Sequence, residues 1–181
     1  MTRRKPRGFV FRVNIRRATP ADAPGIAAVH VASWQVAYRG LFPDAVLDGL
    51  SVADRQAQWT PRLAAADPTI WVSDEAGRVT GFISVLPSRD ADVPPPWYAE
   101  ISALYVHPDV WGQGRGRALC QAVLAHLSRT PAESVIVWAL AGNLGARHFY
   151  ERLGFARDDA SKDITLFNVT QPEVRFRHNL R

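Results

Sequence analysis

Residues 106–120 read VHPDVWGQGRGRALC, with glycines at 112, 114 and 116 directly before an apolar pattern of helical period. Glycine costs backbone entropy, so three in alternation need a reason. A strand ending at Val106, then glycines, then a helix would set several unpaired backbone N–H groups at a helix amino terminus. That end carries about half a unit of positive charge, and residues without side chains let a phosphate come close. The segment can therefore bind an anion, or it can be a plain tight turn; alone it does not separate the two. Spacing excludes two familiar phosphate loops. No Lys-Ser/Thr pair follows the glycines, and no acidic residue follows a second strand in dinucleotide-binding register.

Other reactive side chains give less. Cys120 falls with Leu119, Val123, Leu124 and Leu127 on the apolar side of the helix expected over 114–128, which marks a buried structural thiol rather than an acyl-cysteine nucleophile. His107 and Asp109 invite a hydrolase, but no Gly-x-Ser-x-Gly supplies the nucleophile. The five histidines lack paired ligand spacing, so no metal is expected.

A second signal lies downstream, where HFYERLGF (148–155) follows a buried strand and Asn143 stands seven residues before Tyr150. Together the two stretches resemble the GNAT superfamily of acyl-CoA-dependent N-acetyltransferases, in a bacterial-type branch of unassigned substrate. The family's first motif, a strand then Gln/Arg-x-x-Gly-x-Gly/Ala and a helix, is met by Trp111-Gly112-Gln113-Gly114-Arg115-Gly116. The second is met by Asn143, Ala146 and Phe149-Tyr150-Glu151-Arg152-Leu153-Gly154-Phe155. The departure is Trp111, where Gln or Arg is usual. It removes a side-chain donor and leaves the backbone donors. The likeness spans residues 13–180.

The resemblance implies acetyl-CoA as cofactor and a mostly antiparallel sheet splayed after its fourth strand. The pantetheine arm would pair with residues 103–106, including Leu104, Tyr105 and Val106, and the pyrophosphate would lie in a nest over 113–117. Arg115 or Arg117 would meet the remaining phosphate, or be a solvated helix charge. Asn143 would bond the pantetheine amide, cap its helix, or both. An alkylamine with pKa near 10.4 is protonated at pH 7, and removing that proton costs about 4.6 kcal/mol, so a base must help. Glu100 matches the family's common carboxylate position and Tyr150 its general acid. A phenol near 10 against a thiol near 8.5 makes full transfer uphill by about 2 kcal/mol, so Tyr150 would mostly stabilise the thiolate by a hydrogen bond.

Trp34, Tyr38, Arg39 and Trp97 could wall the acceptor pocket; as aromatics they could equally be core. The expected acceptor is a small-molecule primary amine attacked directly. A protein or peptide amino group, and a non-catalytic CoA-binding regulatory module, stay open.

The elements that must position these residues follow from periodicity. VNIRRAT (13–19) alternates as a strand, then Thr19 or Asp22 with Pro20 opens a helix that Gly40 ends. Residues 43–50 and 51–63 read as short helices. TIWVS (69–73) and VTGFISVLP (79–87) form a hairpin around Glu75, Ala76 and Gly77, and residues 88–97 are a proline-rich connection. YAEISALYV (98–106) alternates; ESVIVWAL (133–140) is continuous, as a strand buried on both faces is. Residues 143–154 form a helix and EVRFRHN (173–179) a last strand. The order β, helices, β, β, β, α, β, α, β predicts an α/β fold with a mixed sheet and helices on both faces.

At 181 residues with 47% hydrophobic and 22% charged composition, residues 13–181 are expected to be one domain. The formal charge of +5 resembles a nucleic-acid signal until it is located. Seven of the 22 basic residues lie in the first 17 with no acid, leaving 15 basic against 17 acidic residues in the body. Residues 1–12 therefore read as a disordered basic arm, and with no base-stacking or helix-turn-helix pattern nucleic-acid binding is set aside. No apolar run suits a membrane span or signal peptide, and one cysteine excludes a disulfide framework, so the expected compartment is the cytoplasm. Family resemblance leaves a homodimer open.

Overall fold

The computed structural model describes residues 13–181; the arm expected over 1–12 lies outside them. The chain runs β1 (Asn14–Arg17), α1 (Ala23–Ala37), α2 (Asp44–Asp48), α3 (Val52–Ala64), β2 (Thr69–Glu75), β3 (Arg78–Pro87), β4 (Tyr98–Val106), α4 (Arg115–Leu127), β5 (Ser134–Leu140), α5 (Leu144–Arg152), β6 (Ala156–Leu166) and β7 (Val169–Asn179). One seven-stranded sheet has the order β1-β2-β3-β4-β5-β7-β6. Every neighbouring pair is antiparallel except β4 and β5. This is the mixed, mostly antiparallel α/β sheet expected.

Side-chain alternation sorts the helices onto two faces. Phe82 packs with Ile26, Val29 and Trp59 of α1 and α3, whereas its neighbour Ile83 packs with Leu119, Cys120 and Val123 of α4. Along β7, Val174 and Phe176 join the α4 face, which sends Glu173 and Arg175 to the other. A third cluster, Phe42, Leu47 and Leu140 with Ile164 and Leu166, joins the α1–α2 region to the β6–β7 hairpin.

β6 is the element that the sequence reading lacks. Its residues ARDDASKDITL carry no apolar alternation, because β6 is the sheet edge and pairs only with β7. Charge is what protects such an edge from pairing with another chain. Asp158 anchors it through Arg175 at 2.9 Å and Arg177 at 3.2 Å. β5, in contrast, is buried almost throughout, as its continuous apolar run predicts.

The parallel ladder between β4 and β5 is short: Tyr98 to Ile101 of β4 pair with Ser134 to Val137 of β5, and the strands then part. β4 carries a register shift at Ser84/Val85 against β3, opposite Ser102, just where it leaves β5. A bulge adds a residue and increases local twist, which turns the strand aside. The expected splay is present.

Beneath α1, His30 is buried and accepts a hydrogen bond at Nδ1 from Trp59 Nε1 at 3.0 Å, while its ring stacks on Tyr105 with centroids 4.9 Å apart. Burial, then the charges of Arg55 and Arg62, lower its pKa from 6.5 to about 3. The fold holds the neutral ring, so this contribution to stability is complete above the unfolded pKa and is lost as pH falls from 6.5 toward about 3. We expect a loss of about 2 kcal/mol of unfolding free energy between pH 7 and pH 5. Urea unfolding at both pH values measures it, and His30→Gln should flatten the dependence.

Candidate active site

The splay opens into one cleft of about 1560 Å³ that passes from the glycine turn, between β4 and β5, to the α1 side of the sheet. On the first side the turn explains its own letters. Gly112 and Gly114 have φ of 73° and 84°, a left-handed conformation that a Cβ would strain. Gly116 serves differently: a Cβ there would lie 3.2 Å from the Phe149 ring. Gly114 is the N-cap of α4 and offers no side-chain acceptor, so the first N–H groups of that helix remain available to an anion. The β4 backbone beyond Ile101 lacks a strand partner on its β5 side. An uncapped helix start beside an open strand edge fits a ligand with a pyrophosphate and an extended amide chain.

Trp111 has its own task. Its indole Nε1 donates to the Val106 carbonyl at 2.6 Å, and Ser33 Oγ donates to the same carbonyl, also at 2.6 Å. The tryptophan thus ties the turn to the end of β4 instead of offering a donor to the ligand, and the Val106 carbonyl is already satisfied. Arg115 is buried and turned inward, bonded through Nε to Glu75 and through Nη1 to Gln113 Oε1 at 2.8 Å. Arg117 is exposed on the cleft wall without an ion pair among the described residues, so it is the better placed of the two arginines for a phosphate. Gln113 itself does not line the cleft; Gly112, Gly114 and Gly116 do.

Tyr150 also lines the cleft, 6% exposed and packed on Phe149, Phe155 and Phe176. Burial, with Cys120 and Tyr105 nearby, raises its phenol well above the ordinary value. Its hydroxyl bonds no other described residue, so a protonated donor is free at that point. Cys120 is wholly buried and burial pushes its thiol up to about 12, which leaves no thiolate for acyl chemistry. Asn143 lines the cleft and caps α5, its Oδ1 accepting from the Ala146 N–H at 3.1 Å. Glu100 also lines the cleft, with its side chain 3% exposed, and receives Arg89 Nε at 3.0 Å on Oε2 and the Arg89 guanidinium again on Oε1.

On the α1 side, Trp34 and Tyr38 line the cleft, and Tyr38 shares a hydroxyl contact of 3.3 Å with Tyr105. The other two residues expected there lie elsewhere. Arg39 is drawn to Asp44 at 2.9 Å and to Asp48 on α2, and Trp97 is 50% exposed on the connection; neither lines the cleft. The sequence reading missed Arg89, Trp138 and Glu173, which do. The signal for Glu173 was present: in EVRFRHN the apolar positions Val174 and Phe176 send Glu173 to the opposite face. No group of three or more potential metal ligands occurs among the described residues, and no described helix is long and apolar enough to cross a membrane.

Residues 32–155 match the model of the acetyltransferase (GNAT) family. An uncharacterized N-acetyltransferase of Bacillus subtilis is 30% identical over 131 residues, 72% of this chain and 73% of the relative. A Mycobacterium tuberculosis protein named as a probable N-acetyltransferase is 28% identical over 171 residues, covering 91% of this chain and 92% of its own. The structure of an N-acetyltransferase from Thermoplasma acidophilum in complex with coenzyme A superposes with a TM-score of 0.72 at 16% identity, covering 93% of this chain and 99% of that one, a likeness of fold.

Two alanine substitutions separate backbone geometry from mere loss of glycine. Gly114→Ala should lower stability by about 1–2 kcal/mol and weaken coenzyme A binding at least tenfold, because the turn must leave its left-handed conformation. Gly145→Ala lies inside α5, where a Cβ would meet nothing nearer than Asn143 Oδ1 at 3.7 Å, and should gain about 0.5–1 kcal/mol. Calorimetric titration and urea unfolding read both.

Proposed function

The chain belongs to the acetyltransferase (GNAT) family, whose members draw on acetyl-CoA, and from that premise we propose that it acetylates the primary amine of a small molecule by direct attack, with residues 13–181 as one catalytic domain. The observation that carries the small-molecule reading is the roof over the acceptor side. Gln171 Nε2 donates to the Leu41 carbonyl at 2.6 Å, and Phe167, at the tip of the β6–β7 hairpin, meets Trp34 and Phe42 edge-on at 6.2 Å each. The hairpin is thereby tied down to the α1–α2 loop. An extended peptide acceptor needs an open groove; this arrangement supports a compact one.

Acetyl-CoA supplies a thioester, and the chain's own residues do the rest. The first N–H groups of α4 and Arg117 would receive phosphate, and the free edge of β4, Leu104 and Tyr105 included, would receive the amide chain. Tyr150, which lines the cleft with an unbonded hydroxyl, would meet the leaving sulfur. Its raised pKa makes outright proton release harder than for free phenol, so it acts chiefly as a hydrogen-bond donor to the developing thiolate. Cys120 stays out of the reaction. The amine must lose a proton before attack, and the carboxylates lie on the acceptor side of the cleft. Of these, Glu100, the expected base, already has both oxygens occupied by Arg89.

Titration with acetyl-CoA, followed by a panel of primary amines scored by thiol release, tests the reading. Absence of acetyl-CoA binding by the folded protein would remove it; turnover confined to peptide amino termini would reject the small-molecule acceptor. Tyr150→Phe should lower kcat about 10- to 100-fold while acetyl-CoA affinity changes less than about threefold. Equal turnover by the Phe variant would exclude the donor role.

A further inference from the structure

The carboxylates on the acceptor side differ in what already holds them. Glu100 is occupied by Arg89. Asp90 accepts from Trp138 Nε1 at 2.8 Å and Arg175 Nη1 at 3.0 Å, with Lys162 3.8 Å away. Asp163, unpaired as well among the described residues, is exposed on the edge strand β6 and keeps its hydration. Glu173 stands apart. It is half-buried on β7, lines the cleft, and has neither a hydrogen bond nor an ion pair within 4.0 Å among the described residues.

Its position is set by the sheet. Glu173 sits opposite Leu140 of β5 and Lys162 of β6, on the face that carries Glu100 and Tyr105. The groups that act on it are Lys162 from β6, Glu100 from β4, and Arg89 and Asp90 from the connection; on the α1 side its charge is felt by Tyr38, and on β4 by Tyr105. Tyr38 in turn feels Tyr150. Burial, reinforced by Glu100 and Asp90 and opposed by Lys162 and Arg89, holds the Glu173 carboxyl above its ordinary range. The walls on this side of the cleft include Trp34, Tyr38, Phe42, Trp138 and Leu140; Arg89 is bonded to Glu100, Arg62 lies over Trp59, and Lys162 lies 3.8 Å from Asp90 and over the Trp138 ring. An unpaired carboxylate in a cleft lined by aromatic and aliphatic groups suits a cation on an apolar body.

We propose that Glu173 is the acceptor-ammonium site: it holds a protonated primary amine carried on an apolar body and takes its proton, while Glu100, clamped by Arg89, stays a fixed anion. This rests on the acetyltransfer reading. The first proton passes from the ammonium to the Glu173 carboxylate and on to solvent. The freed nitrogen pair then forms the N–C bond to the acetyl carbon. As the C–S bond breaks, its electron pair leaves with sulfur, hydrogen-bonded by Tyr150. The second nitrogen proton is released and the thiolate gains one, so amide and thiol result. Because the active form is the carboxylate, turnover is present above the raised pKa of Glu173 and is lost as pH falls through it.

The test compares benzylammonium with its neutral counterpart benzyl alcohol by calorimetric titration, with and without coenzyme A. Wild-type protein should bind the cation at least tenfold more tightly than the alcohol, Glu173→Gln should abolish the preference, and Glu173→Asp should keep part of it. Asp159→Asn, which removes an exposed charge outside the cleft, should leave it intact. No preference in the wild type, or an undiminished preference in a Glu173→Gln protein that still binds coenzyme A, overturns the site. Loss of coenzyme A binding with the preference intact sinks the acetyltransfer reading alone. With an amine that turns over, the acid limb of kcat/KM should vanish in Glu173→Gln; a limb that persists assigns the proton to another group and overturns the base role.

Discussion

Two parallel strands that pair over four residues and then separate are the constraint on which the rest of this molecule depends. β5 cannot follow β4, because its other edge is held by β7 along its full length, from Ser134–Asn179 to Leu140–Glu173. β4 cannot follow β5, because it is held by β3 through the bulge opposite Ser102. The sheet must therefore open in its middle. A strand edge left there carries backbone donors and acceptors without partners, which is costly away from water and favours whatever extended chain can pair with it. Val106 marks the limit of that edge, since Ser33 and Trp111 already satisfy its carbonyl.

An opening of this kind needs bracing on the acceptor side, and buried charge supplies it. Arg175, with a side chain 4% exposed, bonds Asp90, Asp92 and Asp158. It thereby fastens the proline-rich connection and the polar edge strand β6 to the same point on β7. A buried guanidinium is tolerable here because all three of its nitrogens donate to carboxylates; removing either side would strand the other. Through that fastening Arg89 and Asp90 reach the cleft, and Arg89 clamps Glu100. Glu173, two residues along β7 from the hub, is reached neither by that clamp nor by the hub itself.

The features legible in the sequence were those written locally. Left-handed glycines before a helix, the Asn143 cap, the buried run of β5 and the apolar helix face of Cys120 all depend on neighbours a few residues away. What stayed hidden depends on distant pairing. β6 has no apolar alternation because its partner and its ion pairs hold it, not a core face. Arg115 reads in the sequence as a phosphate ligand or a solvated helix charge, and its bond to Glu75, 40 residues earlier, is visible in neither reading. Arg39 turned to α2, and Trp97 stayed on the outer connection. Glu173 was visible as a letter in an alternating strand, but its lack of a partner becomes apparent only once Arg89 is bonded to Glu100 and Arg175 to Asp90, Asp92 and Asp158.

The proton problem of the reaction is eased by the same desolvation that shapes the site. Burial raises the phenol of Tyr150 and the carboxyl of Glu173, and it pushes the thiol of Cys120 up as well. In each case the uncharged form gains. An ammonium brought into that cleft is subject to the same rule with the opposite sign, since its uncharged form is the amine, and its pKa falls. Desolvation therefore narrows from both ends a gap of about six units in water between donor and acceptor of the first proton, while the attraction within the ammonium–carboxylate pair works against it. Tyr150 loses strength as an acid in the same environment and keeps its proton, which is what a hydrogen-bond donor to a departing thiolate requires. A half-buried, unpaired carboxylate in such a cleft thus favours deprotonation of the nucleophile over protonation of the leaving group, and this asymmetry suits an amine, which starts protonated, attacking a thioester whose sulfur leaves readily as an anion.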